Sequence, residues 1–186
     1  GIALYAKIII SSLVLFFGNA AADTTNGIDN EVAEVVGFPL SRTPSKIAEW
    51  PKQPTVVVCK GAPTSADAVG SAVSWWRSLG YRFWTVIPDS IHYGCLMGEP
   101  EGNILIRLID NRDVNPNNLA TTYVYYNKVS GEILWAEILL REEPRERVLE
   151  HELGHALGWL HYSRRNHIMH PEWIKTGWQT TGLRNY

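Results

Sequence analysis

His151-Glu152-Leu153-Gly154-His155-Ala156-Leu157-Gly158-Trp159-Leu160-His161 carries three histidines and one glutamate at the spacing a metal site needs. On a helix, residues four apart share a face, so His151 and His155 aim their imidazoles at one point while Glu152 projects beside them. Catalytic zinc takes three protein ligands and keeps a fourth position for water, so a third donor is required. Gly158 supplies the means: a glycine there adopts the left-handed conformation that ends a helix, and the chain turns back to bring His161 toward the metal. A bare HExxH also occurs on solvated helix faces. The glycine and third histidine at fixed offsets, with a methionine-bearing turn at Asn166-His167-Ile168-Met169-His170-Pro171, make coincidence the poorer explanation. His167 and His170 are rival third ligands by type, but both are expected as exposed turn residues.

Working outward, Arg141-Glu142-Glu143-Pro144-Arg145-Glu146-Arg147 reads as the entry to this helix, with Pro144 in its first turn and the acids at its positive end. Val148, Leu149, Leu153, Ala156, Leu157 and Leu160 give it apolar cover. Upstream, Thr55 to Cys59 reads as a strand. Ser65 to Leu79 places Val69, Ala72, Val73, Trp76 and Leu79 at helical spacing, and Tyr81 to Ile87 alternates as a second strand. Pro88 to Gly102, with His92 and Cys95, reads as irregular. Strands follow at Asn103 to Ile109, Thr121 to Asn127 and Glu132 to Leu140, the last two joined by a turn at Lys128-Val129-Ser130-Gly131. The class is α+β with a mixed sheet of roughly five strands, and Trp75, Trp76 and Trp84 are expected in its core.

With 186 residues, 45% hydrophobic and 19% charged, the chain buries one good core rather than two. A net charge of −2 leaves no electrostatic footprint for nucleic acid. Lys7, the apolar run Ile8 to Phe17 and the small residues Ala20-Ala21-Ala22 read as a secretory signal over 1–22; an uncleaved anchor is the alternative. Cleavage predicts a secreted or otherwise exported protein with no stable membrane association. Residues 23–49 are polar and read as an amino-terminal arm or a short propeptide. In an exported chain the two cysteines, Cys59 and Cys95, are expected to form one disulfide; zinc ligation by them is the weaker reading, since no closely spaced pair exists.

The motif and the methionine turn together resemble the metzincin clan of zinc endopeptidases. Met169 lies eight residues after His161 and Pro171 two further on, a short spacing similar to the matrixin-like branch; Tyr162 stands where that branch usually has serine. The resemblance implies a metzincin-type catalytic domain over 50–186. It would comprise a twisted sheet, a backing helix, an active-site helix and a small lower subdomain after the motif. It further implies one catalytic Zn2+ on His151, His155 and His161, with Glu152 as general base and Gly158, Met169 and Pro171 supporting the site. Thr122 to Tyr125 would be an edge strand above the metal, with Tyr123, Val124 and Tyr125 contacting an extended peptide; simple alternating exposure of the two tyrosines is an equal reading. No structural zinc is expected, and Ca2+ is left open. The implied partner is a peptide or protein substrate of a monomeric enzyme, and the first pocket would prefer bulky apolar side chains. A narrow-specificity processing peptidase or a catalytically silent zinc-containing binding module are the alternatives; the presence of Glu152 speaks against silence.

Overall fold

The computed structural model describes residues 43–91, 93–96, 100–111 and 117–186, together with the backbone of 5–11 and 33–34. The rest of the expected signal segment and of the arm, and His92, lie outside the described residues. The elements are β1 (Tyr5–Ser11), β2 (Ala33–Glu34), β3 (Thr55–Cys59), α1 (Ala66–Ser78), β4 (Val86–Ser90), α2 (Tyr93–Leu96), β5 (Asn103–Leu108), β6 (Ala120–Asn127), β7 (Ile133–Leu140) and α3 (Val148–Ala156). They build an α+β fold on one mixed sheet in the order β2-β1-β6-β7-β5-β3-β4. Five of its strands come from Thr55 onward; β3 is parallel to β4 and β5, β5 is parallel to β7, and β6 is antiparallel to β7.

Period-two alternation divides the side chains of β3 between the sheet's faces. Val56 and Val58 join Ile104, Ile106, Val124, Ala136 and Ile138 in the main core, which α1 and α3 cover, while Val57, Cys59 and Leu105 form a smaller cluster with Ile87 and Cys95 on the other face. The disulfide expected from composition is present: Cys59 and Cys95 are joined, closing a loop of 36 residues against that second face. Helix α1 starts where Ser65 accepts a hydrogen bond from the Ala68 amide and buries Val69, Ala72, Val73 and Trp76. Trp76 is fully buried, and its indole N–H donates to the Glu150 carbonyl at 2.8 Å, tying α1 to α3. Truncating an aromatic so placed costs about 3–5 kcal/mol.

Four expectations need correction. Tyr81 to Thr85 alternates in burial, but the ladder begins only at Val86, and Pro88 lies inside β4, where an edge position spares its missing N–H. Trp84 is 74% exposed because that alternation turns it outward. Helix α3 begins at Val148, not near Pro144: Arg147 has a φ of 74°, so the helix cannot extend back through it. A left-handed arginine costs about 1–2 kcal/mol, which its surroundings must offset. Lastly, β6 is not a sheet edge in the full chain, since β1 pairs antiparallel along it from Tyr5↔Asn127 to Ser11↔Thr121. No helix among the described residues is long and apolar enough to cross a membrane.

Candidate metal centre

Helix α3 places His151, Glu152 and His155 in the protein interior, each 0% exposed. Its end is a double-bonded glycine turn: the Trp159 amide donates to the Gly154 carbonyl at 3.0 Å and the Gly158 amide to the His155 carbonyl at 2.8 Å, with Gly158 at φ 100°. Residues 45–48 seat this turn. The Ile47 amide donates to the Gly158 carbonyl and the Leu160 amide to the Ser45 carbonyl, both at 2.9 Å, and a Cβ on Gly158 would lie 2.1 Å from the Ala48 carbonyl oxygen. Gly158 is thus required twice, for its backbone conformation and for this close approach.

The turn returns His161 to the helix as expected. His155 Nε2 lies 2.9 Å from His151 Nε2 and 3.1 Å from His161 Nε2, and ligand atoms of all three residues fall within 4.8 Å of one another. The opposite nitrogens decide what this means. His151 Nδ1 donates to the Ile168 carbonyl at 2.6 Å, and His155 Nδ1 donates to the Trp159 carbonyl at 2.7 Å. A carbonyl only accepts, so in the neutral rings the proton sits on Nδ1 and each Nε2 presents a bare lone pair. Lone pairs facing one another at 2.9 Å repel; a cation between them converts repulsion to coordination. Burial drives the same way. It pushes the pKa of all three imidazoles well below 6.5, with the neighbouring histidine charge adding to it: His161 acting on His151, His151 on His155 and His155 on His161. The rings are therefore neutral and ready to ligate at neutral pH. The donor set fits a metal ion.

Met169 is fully buried against α3, and its sulfur occupies the space that a Cβ on Gly154 would enter, 2.4 Å from the built position. Gly154, inside the motif but not singled out by its spacing, is what lets the methionine approach the helix. The Met169 carbonyl accepts from the Tyr162 amide at 2.9 Å, and Pro171 follows half-buried. His167 and His170 were expected to be exposed, and both are buried, at 0% and 8%. Neither joins the metal cluster. His167 Nδ1 accepts from the Met169 amide at 3.1 Å while Nε2 donates to the Thr181 carbonyl at 2.9 Å, and His170 Nδ1 accepts from the Glu172 amide at 3.1 Å. They brace the turn that carries Met169.

Of the residues expected along β6, Tyr123 and Val124 are buried and Tyr125 stacks on Trp135 with ring centroids 4.2 Å apart. Sequence reasoning missed their neighbour. Thr122, 0% exposed, donates its hydroxyl to Glu152 Oε2 at 2.5 Å, so the strand holds the carboxylate beside the histidines. Only the strand-to-helix packing reveals this, because thirty residues separate the pair. Thr122→Val should destabilise the protein by about 1.5–3 kcal/mol, the scale of a lost hydrogen bond to a charged group, and Thr122→Ser should restore it. Denaturant unfolding of the two variants checks this; equal loss in both would leave the hydroxyl without a role.

No family model, curated protein or solved structure matches the chain.

Proposed function

We propose that this protein is a secreted zinc-dependent endopeptidase of the metzincin type, in its matrixin-like branch. The observation that carries the reading is the convergence of two bare histidine Nε2 atoms and His161 beside a buried glutamate that a strand holds in place. Three imidazoles with no thiolate or carboxylate ligand are a donor set suited to zinc in a catalytic site. When bound there, zinc lowers the pKa of water toward ~7 and polarises a carbonyl. Glu152 takes the proton of the attacking water and delivers it to the leaving amine, while Thr122 keeps its carboxylate aimed. His151 and His155 are held in the ligating tautomer by the Ile168 and Trp159 carbonyls. Export agrees with the Cys59–Cys95 disulfide, which persists in an oxidising compartment.

Strand β1 bears on substrate access. It belongs to the segment expected to be cleaved after Ala22, and it occupies the hydrogen-bonding side of β6 that an extended peptide would need. Residues 23–186 should therefore cleave an unstructured protein such as casein, and residues 1–186 should cleave it at least tenfold more slowly. Chelation should abolish the cleavage and added zinc restore it. Cleavage that survives exhaustive chelation would overturn the reading; equal rates from the two chains would remove β1 from the control of access.

A further inference from the structure

Arg147 is the only residue other than glycine with a positive φ among the described residues, and it is 1% exposed. Its Nε donates to the Gly177 carbonyl at 2.7 Å, and its guanidinium carbon lies 5.9 Å from the ring centroids of both Trp173 and Trp178. Gly177 is part of the cradle, because a Cβ there would come within 2.6 Å of the guanidinium. Within this cage both terminal nitrogens, Nη1 and Nη2, are buried and make no hydrogen bond among the described residues. Glu146 and Glu150 act on the charge through space without bonding those nitrogens.

A buried cation with two open donors is unfavourable unless something completes it. The open pair is the fork that binds a carboxylate through two parallel N–H···O bonds. Its position connects it to the metal centre. The Arg147 carbonyl accepts from the His151 amide at 3.0 Å, so the two residues are one helical turn apart, about 6 Å along the axis. The other wall is the loop that follows the methionine turn, fixed to the start of α3 by the Trp173 indole donating to the Glu146 carbonyl at 2.8 Å. The cage thus sits between the start of α3 and the loop that follows Met169, one helical turn from His151. A strained backbone at such a place is held by its surroundings and marks a site of use.

We propose that Arg147 determines substrate specificity: its guanidinium receives the carboxylate of an aspartate or glutamate side chain next to the cleaved bond. This rests on the peptidase reading and replaces the bulky apolar preference expected for the first pocket. The ligand is a side chain of the peptide and not a free anion, because Arg147 is one helical turn from His151 of the histidine cluster.

The test is to digest a library of unstructured peptides with the zinc-loaded full chain freed of its signal segment and to map every cut by mass spectrometry. A single position within two residues of the cut should be enriched in Asp and Glu, with a Glu peptide cleaved about thirtyfold faster in kcat/KM than its Gln counterpart, the low end for a buried charge pair. Arg147→Leu should shift that position to apolar residues, and Arg147→Lys should keep a weakened acidic preference. Cuts without acidic enrichment, or an unchanged profile in Arg147→Leu, would overturn the proposal. If the wild-type protein cuts nothing, the peptidase reading has failed and the cage is tested alone. N-acetylglutamate should then change the tryptophan fluorescence of the wild-type protein at least tenfold more tightly than N-acetylglutamine does, and equal responses would overturn the carboxylate site.

Discussion

Glu152→Gln is expected to bind zinc as the wild-type protein does and to lose about a hundred- to ten-thousandfold in kcat, the range that a general base contributes. Metal is retained because Glu152 is not among the clustered ligand residues, which are His151, His155 and His161. The carboxamide oxygen of glutamine still accepts the Thr122 hydroxyl, which now bonds Glu152 Oε2, so the side chain stays in place while its proton affinity disappears. Substitution therefore separates chemistry from geometry. Elemental analysis and kcat on the same preparation measure both quantities. A variant within tenfold of wild type would assign the base elsewhere.

His161→Ala should weaken metal affinity by more than about a hundredfold, beyond what loss of an outer-shell contact costs. The surviving pair, His151 and His155, leaves two ligands where a catalytic ion takes three. His167→Ala and His170→Ala should leave affinity within a few fold, since in each the ring serves the backbone of the methionine turn. Competition against a chelator of known affinity reads the difference. Loss of metal only in His167→Ala or His170→Ala would mean that the ligand set has been misassigned.

The clustering of His151, His155 and His161 was legible in the sequence because it depends on local geometry. Helical spacing faces His151 with His155, and Gly158 must take a left-handed turn for His161 to return; both follow from residues within eleven positions. Helix α1 and the Cys59–Cys95 bond were legible for related reasons, periodic burial in one and a lone cysteine pair in the other. What escaped depends on distant chain. Arg147 reads as an ordinary helix residue until Trp173, Gly177 and Trp178 fold around it and hold it at φ 74°. Thr122 reads as one more β-branched strand residue until α3 packs across it. His167 and His170 look like polar turn residues, yet backbone amides and a carbonyl draw them inward. Nor does any local signal say that Tyr5–Ser11 lies along β6, because an apolar run fits a signal core and a buried strand equally.

The most direct measurement is X-ray absorption at the zinc edge of the protein loaded with one equivalent of metal. Three imidazole nitrogens and one oxygen donor, at bond lengths of about 2.0–2.1 Å, are the expected shell. A thiolate in that shell, fewer than three imidazoles, or failure to retain one zinc ion per chain would contradict a catalytic site on His151, His155 and His161.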